Sequence, residues 1–133
     1  NMGLGKKIGI AAVVCTVLFI ICCIIIMVQK PEIRPEFYDL IYTDQEQAMQ
    51  IYKEDFKNNT STLFKIADTG SSIIAAAGAI LAIISIIKMV KGKEKGIIIP
   101  ILAIIIIAVF YFIVSLSIMD MGALMNSAMN NIQ

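Results

Sequence analysis

The chain contains no histidine and no tryptophan. Without histidine, the commonest general base near neutral pH and the commonest metal ligand are both missing. Cysteine is scarce: Cys15, Cys22 and Cys23 are the whole complement, and all three lie inside the first apolar run. A zinc site wants four ligands at set spacings, and a disulfide framework wants an even number outside a membrane. The three are therefore read as small apolar helix residues. A net charge of +1 suggests no nucleic-acid partner, since a polyanion calls for a dense basic face; charge is informative here through its position. The most informative absence is local. The stretches 8–29, 69–87 and 96–119 contain no Asp, Glu, Lys or Arg.

Each of those stretches is long enough to cross the ~30 Å apolar core of a bilayer at ~1.5 Å per helical residue. Apolar residues make up 59% of the 133 and the mean hydropathy is +0.86, whereas about half is usual in soluble domains. The expected fold is an all-α integral membrane protein with three transmembrane helices, a signal anchor plus a helical hairpin, and a small extracytoplasmic helical cap. The same gaps bear on activity. Transporters and proton relays place charged residues at membrane depth, and none falls there. No Ser–His or Cys–His pair and no carboxylate cluster with a buried neighbour occurs. An enzyme is not expected, nor a cofactor, a metal or a small-molecule substrate.

Three regions follow. In 1–29, Lys6-Lys7 precedes an apolar run longer than the ~7–15 residues of a secretory signal core, and no small-x-small cleavage site closes it. This segment is read as an uncleaved anchor, with Met2 as the native first residue. Region 30–69 begins with Pro31 and Pro35, which predict a stiff, extended exit. Thr43-Asp-Gln-Glu46 has the form of a capping box and predicts a helix over about 44–57, with Ala48, Tyr52, Phe56 and Met49 on its apolar side. Asn58-Asn-Thr-Ser-Thr62 breaks that helix, and a new one is expected from Ser61 or Thr62. Both Asn58 and Asn59 begin glycosylation-type tripeptides, read here as a polar helix break.

Region 70–133 is a hairpin of spans at about 70–90 and 97–119, joined by the basic loop 88–96, with an amphipathic C-terminal extension. Gly92 and Gly96 are expected to supply the turn, and Pro100 falls in the first turn of the third span, where its missing N–H costs least. In lipid an open isoleucine strand would leave its backbone unsatisfied, so this run must be helical. Tyr111 lies well inside the run, and Ser115 or a carbonyl is expected to bond its hydroxyl. In the tail, Met121, Leu124, Met125, Ala128, Met129 and Ile132 recur every three or four residues.

Basic residues flank the spans unevenly. Lys6 and Lys7 stand before the first, and Lys88, Lys91, Lys93 and Lys95 face a single acid, Glu94, in the loop. Acids outnumber bases in 30–69, and Asp120 is the one charge of the tail. The positive-inside rule then predicts a cytoplasmic N-terminus and loop, and an extracytoplasmic 30–69 segment and C-terminus, in a bacterial plasma membrane. The four loop lysines are expected to contact anionic lipid at roughly 1 kcal/mol each.

Small residues mark a helix-packing or assembly face. Ser71, Ala75, Gly78, Ala79, Ala82 and Ser85 recur at helical spacing in the second span, and Gly5 and Gly9, extended by Ala12, do so in the first. Such residues let backbones approach where apolar surface gives no drive between helices. Met121, Met125 and Met129, with Tyr52 and Phe56, form the expected extracytoplasmic partner face, methionine suiting adaptable contacts. In arrangement, 70–119 is similar to the pilin subunits of conjugative type IV secretion systems, which also join two apolar helices by a short basic turn; the long first span and the outer segment depart from that plan. The functional expectation is a small non-enzymatic subunit that associates with itself or with another membrane protein, of secretion, conjugation or immunity type. The alternative is a pore-forming or holin-like protein.

Overall fold

A computed structural model describes residues 3–118 and 129–130 of the chain. Five helices follow in order: α1 (Leu4–Gln29), α2 (Glu36–Leu40), α3 (Gln45–Asn59), α4 (Thr62–Lys91) and α5 (Ile98–Ile118). No strand occurs among the described residues. Three of the helices, α1, α4 and α5, are long and apolar enough to cross a membrane. They pack together as a bundle with α1 and α4 antiparallel, Gly5 lying beside Met89 and Gln29 beside Ser61. One end of the bundle holds the start of α1 and the α4–α5 turn; we call it the turn end. The other carries α2 and α3 and is the cap end.

The α1–α4 seam advances in steps of three or four residues, alternating throughout on α1, as side chains on facing helices do when they interdigitate. On α1 the buried residues are Gly5, Gly9, Ala12, Thr16, Phe19, Cys23 and Ile26. On α4 they are Phe64, Ala67, Ser71, Ala75, Gly78, Ala82, Ser85 and Met89. Along α1 the series runs from Gly5, Gly9 and Ala12 near the turn end to Phe19, Cys23 and Ile26 toward the cap end, while α4 has Phe64 at the cap end, small residues through its middle and Met89 buried at the turn end. Helix α5 closes the third side through Ala103, Ile107 and Val114. Its Pro100 is buried in the first turn as expected.

Several local expectations need correction. Residues 30–34 are non-helical, as the prolines predict, but a short helix not expected from the sequence, α2, follows Pro35, because proline also suits the start of a helix. Helix α3 is capped by Asp44, whose side chain accepts from the Gln47 N–H at 3.2 Å, and not by Thr43. The Thr43 hydroxyl donates to the Asp39 carbonyl instead. The carboxylate is one residue later than the hydroxyl and an equally good cap, so the helix starts one residue later. Helix α4 begins where expected, with Ser61 Oγ accepting from the Phe64 N–H at 3.1 Å. The hydroxyl of Thr60 donates to the carbonyl of Phe56 and closes α3.

Two further corrections concern the spans. Tyr111 faces outward, 58% exposed, and Ser115 Oγ donates to the Tyr111 carbonyl at 2.9 Å rather than to its ring hydroxyl. The left-handed residue that ends α4 is Lys93, at φ 51°, while Gly92 is right-handed. The Lys93 N–H bonds the Val90 carbonyl and the Glu94 N–H bonds the Met89 carbonyl, which is a Schellman closure. Gly96, at φ 94°, supplies the second left-handed step before α5.

Candidate functional site

At the turn end α1 begins without a side-chain cap of its own and without an acid in its first turn. Its free backbone N–H groups carry the positive end of the helix dipole. The Schellman closure of α4 swings Glu94 toward them. The Gly5 N–H donates to Glu94 Oε2 at 3.2 Å and the Lys6 N–H to Glu94 Oε1 at 3.3 Å. One carboxylate from residue 94 thus caps a helix that starts ninety positions earlier in the chain. The approach depends on missing Cβ atoms: one added at Gly3 would collide with the Glu94 carboxylate, and one at Gly5 would lie 2.7 Å from Met89 Cγ and 2.9 Å from the Met89 backbone nitrogen. Ser85 Oγ, fully buried, donates to the Gly5 carbonyl at 2.6 Å.

The small residues singled out from the sequence therefore separate into two groups. Gly5, Gly9, Ser71, Ala75, Gly78 and Ala82 are buried inside the chain's own bundle, with Ala12 and Ser85. A Cβ at Gly78 would stand 3.0 Å from Ile107 Cδ1 and 3.1 Å from Cys15 Cβ, so three helices meet there. Ala79 is only half-buried and lies beside the seam. An i, i+4, i+8 row drifts off a 3.5-residue seam, which takes Gly78 and Ala82 and passes Ala79 by.

The cap end is built from rings. Phe37 of α2 is 2% exposed and packs with Ala48 and Ile51 of α3. Ring centroids run 5.3 Å from Phe37 to Tyr52, 5.7 Å on to Phe56 and 5.8 Å on to Phe64 of α4. Tyr52 and Phe56 are thus half-buried within the chain, and burial raises the Tyr52 pKa above the usual tyrosine value. Met49 is exposed, while Ile51 takes the buried place on α3. Asp55 accepts from the Arg34 backbone N–H at 2.9 Å and from Arg34 Nε at 3.0 Å, with Glu54 3.4 Å from Arg34 Nη2. The bond from the Arg34 backbone, opposed by burial and aided by the Arg34 side chain and its charge, holds the Asp55 carboxyl below its ordinary value. Asn59 Nδ2 donates to the Glu32 carbonyl at 2.6 Å and ties the end of α3 to the exit from α1.

Of the methionines expected to face a partner, Met121 and Met125 lie outside the described residues. Met129 is helical and 61% exposed. Lys88, Lys91, Lys93 and Lys95 are all exposed around the turn. A cleft of about 80 Å³ opens between the three long helices toward the cap end, lined by Phe19, Cys23, Asp68, Ser71 and Tyr111 among others. Its serine hydroxyls are engaged locally: Ser71 Oγ and Ser72 Oγ donate to the Asp68 carbonyl and Ser115 Oγ to the Tyr111 carbonyl. Among the described residues no group of three His, Cys, Asp or Glu stands close enough to hold a metal ion. Neither Glu94 nor the Arg34–Asp55 pair was singled out from the sequence. The signal for Glu94 is its isolation, one acid among four lysines; Arg34 and Asp55 meet only through the fold.

Against known proteins, the chain matches no family, no curated protein and no solved structure.

Proposed function

We propose that this protein is a small, non-enzymatic subunit of a membrane assembly, with its N-terminus and basic turn in the cytoplasm and its cap outside, in a bacterial plasma membrane. The observation that carries the reading is how the spans divide their surface. Within the apolar windows of α1, α4 and α5 only 28%, 28% and 22% of residues are buried inside the chain. The small residues that allow close helix contact are spent on the internal seam, so the chain is a prefabricated three-helix unit with long apolar sides. Lipid covers such sides equally well, and assembly is selected by the polar parts at the two ends. The continuous packing of α1 from Gly5 to Ile26 against α4 supports an anchor that stays with the chain, since its loss would uncover the whole seam.

A pore made by one copy has less support. The centre of the bundle is filled by Phe19, Cys23, Ile26, Ala75, Ile107 and Val114, and the buried hydroxyls of Thr16 and Ser85 are bonded to backbone carbonyls. Native mass spectrometry on protein extracted in a mild detergent after crosslinking tests the proposal. The expected result is a discrete particle holding several copies or a stoichiometric second membrane protein. A lone chain, together with cells that leak small dyes on expression, would favour the pore instead. For orientation, an impermeant thiol reagent on whole cells should label Gln50→Cys and spare Lys93→Cys; the opposite pattern would invert the topology.

A further inference from the structure

We propose that the turn end is one composite docking surface for the headgroups of anionic phospholipids, assembled by Glu94 from two distant parts of the chain. The inference rests on the membrane reading above. Lys6 and Lys7 belong to the first turn of α1, whereas Lys88, Lys91, Lys93 and Lys95 belong to the end of α4 and the turn. Five of the six are exposed and Lys6 is half-buried. The stem of Lys6 lies against the turn, its Cε 3.9 Å from a Cβ placed on Gly96. Among the described residues none of the six is ion-paired, the ion pairs there being those of Arg34. The single acid of the region forms no ion pair with them, its two oxygens accepting from the backbone of Gly5 and Lys6.

Glu94 therefore acts twice. Its oxygens bond the backbone at the start of α1 and not a lysine ammonium group, and the link ties the two lysines of α1 to the turn that carries the other four. The surroundings select lipid over a free phosphate. Leu4, Val90 and Ile98 stand among these lysines at 61%, 60% and 61% exposure, so charge and bare apolar surface alternate as they do at a headgroup boundary, where lysine stems lie on hydrocarbon and ammonium groups reach out.

The test uses the full chain reconstituted in phosphatidylcholine bilayers containing phosphatidylglycerol, with Ile98→Trp as the only tryptophan in a protein that has none. Quenching by brominated phosphatidylglycerol is compared with quenching by brominated phosphatidylcholine at equal mole fraction. A preference of about fivefold for the anionic lipid is expected at Trp-substituted position 98, the ratio that one lysine's share of surface attraction gives. A ratio near one is expected for Val28→Trp at the cap end. Glu94→Gln, in the Ile98→Trp background, decides whether the surface is composite. If the lysines act independently, removing an acid raises the preference, and that result would overturn the proposal. If Glu94 assembles them, the preference falls by at least half although the net charge has increased. Lys88→Gln with Lys91→Gln, which leaves the Glu94 cap intact, should also lower it. Equal quenching by both lipids at position 98 overturns the docking surface alone. Absence of quenching by either lipid overturns the membrane reading as well.

Discussion

At the turn end a carboxylate and a row of small residues bring α1 against α4 and its turn, whereas at the cap end an arginine–aspartate pair ties α3 to the exit from α1 and a run of rings reaches α4 through Phe56 and Phe64. On the membrane reading proposed above, the cap and the spans meet different surroundings. Beyond the spans, burying a phenylalanine face removes it from water and is favourable in itself. Along spans that face lipid, one apolar surface is as good as another, and helices gain from close contact and satisfied polar groups. Within α1 itself the seam shifts from Gly5, Gly9 and Ala12 to Phe19, Cys23 and Ile26, and the polar links at its small-residue end, Glu94 and Ser85, are aimed at backbone atoms.

If the cap is held by rings, removing the most buried of them should have the largest effect. Phe37→Ala deletes a side chain that is 2% exposed, a loss of about 3 kcal/mol or more in a core. That exceeds what a layer of twenty-odd residues can hold in reserve. Amide exchange over residues 36–59 should become fast while that of α1 and α4 stays protected. Loss of protection along the whole chain would show that cap and bundle are not separable. At the other end the sensitive change is an addition. Gly5→Leu places a side chain where the Met89 backbone already stands and should cost about 2–3 kcal/mol by overpacking, read as a lower denaturation midpoint in mixed micelles. Gly70→Leu, on the same kind of helix but with nothing within 4 Å of its Cβ position, should cost nothing. Equal losses would dissolve the distinction between a close seam and an ordinary helix face.

A third effect belongs to the cap alone and depends on pH. Asp55 is held at a lowered pKa chiefly by the Arg34 backbone N–H. An acid with a lower pKa folded than unfolded contributes its full stability above the unfolded value, about 3.9, and loses it as pH falls through the folded one. The near-ultraviolet circular dichroism of the packed tyrosines should therefore be constant from neutrality to about pH 4 and decline below. Asp55→Asn should be weaker at neutrality and show little further change on acidification. A wild-type signal indifferent to acid would remove the pair from the forces that hold the cap.

The spans were legible because the absence of charge over such lengths leaves helices as the chain's only way to satisfy its backbone in lipid, whatever the periodicity. The small-residue face was legible as a set of residues, though not which of them the internal seam takes. Gly78 and Ala79 were both candidates, but two helices that wind about each other meet every 3.5 residues, so Gly78 and Ala82 enter the seam and Ala79 lies beside it. Short-range competition hid other features. Pro35 fits an extended exit and a helix start equally well, and Thr43 and Asp44 are both good caps. Nothing in residues 1–30 states that α1 lacks a cap which Glu94 will supply, nor does the sequence around Arg34 announce Asp55. These are pairings across 89 and 21 positions, and only the packed bundle brings them within reach.

The smallest effect tests the turn that aims Glu94. Lys93 holds φ at 51°, a conformation that costs a residue with a Cβ roughly 1–2 kcal/mol, whereas glycine adopts it freely at an entropic cost of about 0.5–1 kcal/mol. Lys93→Gly should consequently stabilise the bundle by about 0.5 kcal/mol. Lys91→Gly removes the same charge two residues earlier, in the last helical position of α4, and should destabilise it by up to about 1 kcal/mol. Because the two variants are alike in composition and net charge, opposite shifts of the denaturation midpoint can come only from backbone conformation. Parallel shifts would mean that α4 does not end in the left-handed closure, and Glu94 would then have no reason to point at α1.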